Sequence, residues 1–168
     1  VKCNQIVTHK DRFQTSDSIK FYRLSEDIAK ALKSNIILLQ TPSSFKPDEK
    51  NVKNLRTFFK KAKPSIKIAW EVRGGWWEKE KLIKEICEEF DIINCVDPFR
   101  NTPLYFGKSK IAYFRLHGFG KPSMYNYKFS DRELKRLKEI IDKLKAKYIY
   151  VFFNNFNMYE DAKRFENF

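Results

Sequence analysis

The 168-residue chain is long enough for one domain with a substantial buried core, and its 42% hydrophobic residues exclude a disordered protein. No apolar run reaches the ~18 residues that a membrane span needs, and the three cysteines match neither a disulfide framework nor a zinc pattern. With a formal net charge of +13 and no signal peptide, we expect a basic, globular, cytoplasmic protein without membrane contact.

The positive charge has two interpretations. Clustered Lys and Arg would neutralise the phosphates of a nucleic acid. A lysine-rich surface is also typical of thermophile proteins. The lysines are spread over several predicted helices and interleaved with Glu and Asp, and no dedicated basic arm is present. This pattern favours the second interpretation and leaves nucleic acid as an alternative partner.

Strand-like apolar runs recur along the chain, with helical patterns between most of them. The runs are Lys2–Val7, Ile36–Gln40, Ile66–Val72, Ile92–Val96, Ile111–Leu116 and Tyr148–Phe153. Strands alternating with helices predict a parallel α/β architecture. No GxGxxG follows the first run and no GxxxxGK[ST] occurs anywhere, so the dinucleotide and P-loop versions are disfavoured and the cofactor is left unknown.

The helices are predicted from apolar spacing and start signals. They cover Ser18 to Ser34, the segments after Pro47, Trp77 and Ser130, and a last segment that begins near Tyr159. The clearest start is Ser130 with Glu133, which has the spacing of a capping box. The gap from Val96 to Ile111 is too short for a full crossover helix, so we predict a loop or a single turn there.

Polar residues end every predicted strand. In chain order the ends are Thr8-His9, Gln40-Thr41-Pro42, Glu71-Val72-Arg73, Asp97-Pro98, Arg115-Leu116-His117-Gly118 and Phe153-Asn154-Asn155. Such groups are costly to bury without partners, and (β/α) barrels carry their chemistry at the carboxyl ends of the strands. Six polar ends therefore predict a lined pocket.

Several of these residues also have a structural explanation. Glu71 and Arg73 share a strand face and could form a structural ion pair. Asp97 could shape a turn. Asn154 or Asn155 could cap the last helix. Both kinds of role stay open at these positions.

The favoured function is that of an enzyme or degenerate enzyme that binds a small polar or anionic ligand. Arg73 and Arg115 would hold the anion, because guanidinium matches carboxylate and phosphate. His117 would transfer a proton, with Glu71 or Asp97 as its partner. A divalent metal on the two carboxylates and the imidazole is disfavoured, because two arginines would lie close to it.

Several stretches together resemble the YecE-like proteins, the domain-of-unknown-function family 72. They are Leu38–Phe45, Glu71-Val72-Arg73 with Trp76 or Trp77 after it, Val96-Asp97, Arg115–Gly118, Tyr125-Asn126-Tyr127 and Phe152–Asn155. The resemblance covers nearly the whole chain and implies a TIM-barrel-like fold with no established activity. The pocket residues that it implies are His9, Gln40, Glu71, Arg73, Asp97, Arg115, His117, Tyr127 and Asn154.

The beginning of the chain departs from this pattern. The family's Trp-Gly opening is absent, and six strands are predicted where a closed barrel has eight. We therefore expect one partial domain over 1–168 with about six β/α units, the first two units missing, and exposed sheet edges that favour self-association. The alternatives are a nucleic-acid-binding or processing protein and an inactive, truncated remnant.

Overall fold

The computed structural model describes all residues, Val1–Phe168, and contains five strands and five α-helices, with a helix between successive strands except between the third and the fourth. The chain divides into two units, Val1–Asn94 and Cys95–Phe168. The boundary lies inside the third strand, so that strand belongs to both. No helix is long and apolar enough to cross a membrane. None of the three cysteines forms a disulfide bond.

The first unit is built from parallel strands and the helices that connect them. Its elements are a π-helical turn at Ile6–Lys10, α1 at Ser16–Ala31, β1 at Ile36–Gln40, α2 at Glu49–Ala62, β2 at Lys67–Glu71, a 3₁₀ turn at Gly74–Lys79, α3 at Glu80–Phe90 and the start of β3 at Ile92–Val96. The strand order is β1-β2-β3. The parallel register of β1 and β2 sets Gln40 opposite Glu71, so the two strands end side by side.

The second unit continues the same alternation. Its elements are the end of β3, β4 at Ile111–Leu116, α4 at Asp131–Asp142, β5 at Tyr148–Phe153 and α5 at Met158–Phe165. The strand order is β3-β4-β5, with Cys95 opposite Tyr113 and Arg115 opposite Phe152 in parallel register. Every residue of β3 and β4 is buried, which explains their nearly continuous apolar sequences.

The predicted strand at Lys2–Val7 is wrong, and the chain has five strands where six were expected. Lys2 makes only an isolated bridge to Leu38, and Ile6–Lys10 is helical. The cause is Asn4. Its side-chain oxygen accepts a hydrogen bond from the Ile6 N–H at 2.9 Å, and its carbonyl accepts one from the Val7 N–H at 3.1 Å. These local bonds replace a strand ladder with a turn.

The helix predictions are confirmed to within a few residues. The first helix begins at Ser16, where the Thr15 side chain accepts a hydrogen bond from the Asp17 N–H, and the last begins at Met158. Ser130 and Glu133 form the predicted capping box at the start of α4. The segment between β3 and β4 contains turns and no helix, as its short length predicts.

Aromatic side chains fix the loops that follow the strands. In the first unit, Trp76 stacks on Phe45 with ring centroids 5.8 Å apart, and its indole N–H donates to the Phe45 carbonyl at 2.6 Å. This contact ties the turn after β2 to the loop after β1. In the second unit, the Phe129 ring lies 5.1 Å from Tyr127 and 5.6 Å from Phe153. The core therefore reaches to the strand ends in both units, and it holds their loops in place.

Candidate functional site

Glu71 and Arg73 form an ion pair at the end of β2. The Arg73 Nε and Nη2 atoms donate to one carboxylate oxygen of Glu71, at 3.1 and 2.8 Å. Glu71 is buried and Arg73 is partly exposed, so the pair holds a cation at the rim of the first unit. The ion-pair explanation of these residues is confirmed. Gly74 follows in a left-handed conformation with φ +63°, and a Cβ there would lie 3.0 Å from the Ser43 Cβ.

His9 lies in the π-helical turn and not at a strand end. Its Nδ1 atom is 2.8 Å from the Thr8 hydroxyl. Burial lowers the pKa of His9 below its ordinary value, and the positive charges of Lys2, Arg73 and Arg12 lower it further. The lowered pKa favours the neutral imidazole at neutral pH. This electrostatic coupling brings His9 together with Arg73, two of the residues predicted for ligand binding.

Arg12 is a part of this cluster that the sequence patterns did not indicate. Its Nε atom donates to the His9 carbonyl at 3.2 Å, and its Nη2 atom donates to the Ser44 hydroxyl at 3.2 Å. Ser44 lies in the loop after β1, so Arg12 connects the π-helical turn to the strand ends. Its backbone has φ 53°. A left-handed arginine is uncommon, and no local sequence signal announces it.

In the second unit, Asp97 lies directly after β3 and has two functions. Its Oδ1 atom accepts a hydrogen bond from the Phe99 N–H at 3.1 Å, which confirms the predicted turn. Its Oδ2 atom accepts one from the His117 N–H at 3.2 Å and lies 3.8 Å from His117 Nδ1. Of the two carboxylates predicted as partners of His117, Asp97 is therefore in contact with it.

His117 and Arg115 are buried at the end of β4, with 6% and 8% of their surfaces exposed. The His117 ring lies 5.8 Å from the Tyr125 ring. Gly118 ends the strand with φ +85°, and a Cβ there would lie 2.4 Å from the Tyr127 Cβ. Only glycine fits this turn, which fixes where the strand places His117.

Arg100 is a second residue that the sequence patterns did not indicate. Its Nη2 atom donates to the Gly118 carbonyl at 2.6 Å, and its Nε atom lies 3.5 Å from Asp97 Oδ2. The guanidinium stands 4.9 Å from the Phe119 ring centroid. Arg100 thus joins the loop after β3 to the turn after β4. The pairing spans 18 residues, which no local pattern encodes.

The side chain of Tyr127 is hydrogen-bonded within the protein, and that of Asn154 is not. The Tyr127 hydroxyl donates to Glu133 at 2.6 Å, and that hydrogen bond, with burial, raises its pKa to about 12. The Asn154 N–H donates to the Leu116 carbonyl at 2.7 Å, while its half-buried amide side chain makes no hydrogen bond within the protein. Asn154 is accessible to a ligand, whereas Tyr127 is engaged by α4.

Asn155 and Asn154 do not cap α5, so that explanation is wrong. The residue at the cap is Asn157. The Asn155 amide donates to the Tyr127 carbonyl and to Asp161, both at 2.7 Å. It therefore holds the end of β5 against α5 and against the loop between β4 and α4.

The structure gathers the predicted residues into one cluster in each unit. The first unit holds His9, Gln40, Glu71 and Arg73, and the second holds Asp97, Arg115, His117 and Asn154. No three side chains of the types His, Cys, Asp and Glu are arranged to hold a metal ion. Each cluster contains an arginine, a histidine and a carboxylate. Such groups bind anions and transfer protons.

Parallel strands connected by helices define an α/β protein, and polar groups lie at the ends of its strands. A family model described as a protein of unknown function, DUF72, matches residues 1–167. The chain therefore belongs to the DUF72 family, which confirms the resemblance to the YecE-like proteins.

Two solved structures share this fold over 99% of the chain. A DUF72 family protein from Thermotoga maritima has a TM-score of 0.78 and 28% identity, and the match spans 71% of that protein. A DUF72 family protein from Enterococcus faecalis V583 has a TM-score of 0.74 and 22% identity over 72% of its length, and the likeness is one of fold. No curated protein matches the chain significantly.

Proposed function

We propose that the protein binds a small anionic ligand, carrying a carboxylate or a phosphate group, at the carboxyl ends of its strands. The observation that carries this proposal is the burial of Arg115 and His117 together at the end of β4. A guanidinium fork matches the oxygens of a carboxylate or a phosphate, and the imidazole two residues further along the same strand face adds a hydrogen-bonding group. Two cations of the first unit support the same ligand class: Arg12 in the turn after Ile6–Lys10, and Arg73 at the end of β2.

The proposed enzymatic role is proton transfer by His117. The Asp97 carboxylate, 3.8 Å from Nδ1, would orient the ring and stabilise the imidazolium. Arg115 would hold the anion, and Asn154 would offer its amide as a hydrogen-bonding group. In the first unit Glu71 would position Arg73. A degenerate enzyme would keep the anion site and lose the proton transfer.

Thermal shift at constant ionic strength tests the proposal. Phosphate, sulfate, acetate and malonate are added at about 10 mM, a concentration that stabilises measurably if the Kd is millimolar or lower. We expect at least one anion to raise the melting temperature of the natural chain. Arg115→Gln should abolish that rise, while Arg132→Gln, on the surface of α4, removes the same charge and should preserve it. No stabilisation by any anion would contradict the proposal and favour an inactive remnant.

Nucleic-acid binding is a second candidate, and the surface of β5 favours it. Tyr148 and Phe152 are 51% and 42% exposed, and the Phe152 ring stacks 4.8 Å from Tyr113. Lys147 Nζ stands 5.3 Å from the Tyr148 ring centroid. Exposed aromatics next to cations are the parts of a stacking platform for single strands. Filter binding that weakens steeply with salt would support this candidate.

We also propose that the chain self-associates through β5. This strand pairs only with β4 and contains no charged residue, proline or glycine. Natural edge strands carry such residues to prevent pairing with another chain. The uncharged edge of β5 therefore offers a pairing surface to a second copy.

For the finer architecture we propose a TIM-barrel-like (β/α) fold. Support comes from the regular alternation of parallel strands and helices and from the two DUF72 structures that share the fold. A crystal structure of the protein tests this proposal.

A further inference from the structure

The turn that carries His9 has an unusual backbone. Ile6–Lys10 is a π-helical turn, a form that is rare and concentrated at functional sites. Arg12 and Phe13 follow it with φ 53° and 63°, two left-handed residues that are not glycine. The buried Phe13 ring, 5.4 Å from Phe45 and 5.0 Å from Phe58, holds this conformation in place. The core therefore imposes the position of Arg12 at a cost in backbone strain.

The turn presents two hydrogen-bonding atoms without a partner in the protein. Arg12 uses Nε and Nη2 for the His9 carbonyl and the Ser44 hydroxyl, and its Nη1 makes no hydrogen bond. His9 uses Nδ1 for the Thr8 hydroxyl, and its Nε2 makes none. Both side chains are half-buried, so a small solute can reach them. When Thr8 donates to Nδ1, Nε2 carries the ring proton and is a donor.

The charge around the turn is predominantly positive. Lys2, Arg12 and Arg73 act on His9, and each lowers its pKa after the larger effect of burial. The Glu71 carboxylate accepts from Arg73. Asp11 is adjacent in sequence, but its carboxylate accepts hydrogen bonds from the N–H groups of Gln14 and Thr15 and from two hydroxyls before and within α1. The turn therefore keeps an excess of positive charge beside a neutral imidazole.

We propose that the turn from Thr8 to Phe13 is the subsite for a phosphate group, which Arg12 and the Nε2–H of His9 hold directly. This inference deepens the proposed function and rests on it, because it assigns the phosphate class to one of the two clusters. Lys2 and Arg73 supply the positive potential. A dianionic phosphate matches several cations better than a single carboxylate does, and its oxygens accept from both donors.

The chain contains two histidines, so ring NMR signals report the two clusters separately. His117→Gln assigns the two signals. Inorganic phosphate is titrated at pH 7.5 and constant ionic strength. We expect the His9 ring signals to shift to saturation and the His9 titration midpoint to rise, because the bound dianion offsets the nearby cations.

Arg12→Gly is the decisive variant because glycine accepts φ 53° without strain. The melting temperature should change by no more than about 4 °C, while phosphate affinity falls about tenfold or more through the loss of a charge-assisted hydrogen bond. Lys30→Gln removes one exposed charge from α1 and is the matched control. It should leave phosphate affinity within about twofold.

The possible results distinguish failure of the phosphate subsite from failure of the proposed function. Phosphate that saturates His117 and leaves His9 unchanged would overturn the subsite and keep the proposed anion site. Equal weakening by Arg12→Gly and Lys30→Gln would also overturn it, because the effect would then be diffuse charge. If neither histidine responds to phosphate or acetate, the subsite and the proposed function both fail.

Discussion

Asp97 shows how one side chain can shape a loop and orient an imidazole at once. Its two oxygens accept hydrogen bonds from the N–H groups of Phe99 and His117, and the Arg100 guanidinium lies 3.5 Å from the carboxylate. The sequence offered a choice between a turn residue and a site residue, and the structure combines both. The carboxylate has two oxygens, so a local turn bond does not exhaust it.

Two replacements of Asp97 separate the contribution of its charge from that of its two hydrogen-bond acceptors. Asp97→Ala leaves the buried His117 N–H and the partly buried Phe99 N–H without an acceptor and should lower the free energy of unfolding by about 2 kcal/mol or more, while Asp97→Asn keeps one acceptor and should cost less. Urea unfolding measures both, with Asp27→Asn on the exposed side of α1 as the control. Equal losses in the Ala and Asn variants would show that charge, and not acceptor geometry, is what Asp97 supplies.

Glu26 makes folding stability depend on pH. Burial alone would raise its pKa, but hydrogen bonds from Ser65, Arg23 and Tyr22 outweigh burial and lower it below the ordinary value. The Ser65 N–H donates at 2.7 Å and the Tyr22 hydroxyl at 2.9 Å. A lowered pKa in the folded state stabilises the protein above the unfolded value of about 4.3, and that stability is lost as the pH falls through the folded value.

Glu26→Gln should therefore cost about 2 kcal/mol of unfolding free energy at pH 7, because it removes the charge that these donors stabilise. The difference from the natural chain should shrink as the pH is lowered below about 4. Urea unfolding at a series of pH values measures this. A difference that stays constant from neutral to acid pH would contradict the pKa direction.

The strands show most clearly what a local pattern can predict. The predicted bounds of β1, β3 and β4 agree with the structure, because buried parallel strands are continuous apolar runs. The run at the beginning of the chain looked similar and failed. There Asn4 satisfies the backbone locally, and one polar side chain decides between strand and turn.

The turn after β4 requires glycine at position 118, and substitution with alanine tests this. Gly118→Ala should destabilise the protein by about 3 kcal/mol, since it combines a left-handed φ of +85° with a clash against Tyr127. Gly75→Ala is the matched control, because the nearest atom to its new Cβ is 3.9 Å away. It should change stability by less than about 0.5 kcal/mol. Similar losses in the two variants would refute this account of the turn.

A charge placed on β5 tests whether the chain self-associates through this strand. Phe152→Lys places a charge on the exposed strand and should shift the chain from dimer to monomer in sedimentation velocity experiments. Tyr159→Lys is the control, because this 73% exposed residue lies on α5 and outside the strand. A natural chain that is monomeric at about 100 µM, well above a micromolar Kd, would contradict the proposed edge pairing.

The net charge of +13 acts on the molecule as a whole. Like charges repel one another in the folded state, and salt screens that repulsion. Raising KCl from about 0.1 M to about 1 M shortens the screening length from about 10 Å to about 3 Å and should raise the melting temperature by a few degrees. Differential scanning calorimetry measures this. A fall with KCl would show that ion pairs such as Arg56–Glu89 outweigh the repulsion.

The sequence alone determined the α/β class, four helix starts to within two residues, the polar strand ends and the family. These follow from periodicity, capping and motif order, which are local properties of the chain. Only the tertiary structure decided which polar groups meet. Arg12 reaches Ser44 and Arg100 reaches Gly118 through pairings 32 and 18 residues apart. The lowered pKa of His9 likewise comes from burial in the fold and, after it, from the charges of Lys2 and Arg73. Such contacts are products of the fold, because the free energy that selects them comes from packing between elements and not from the spacing of residues within one.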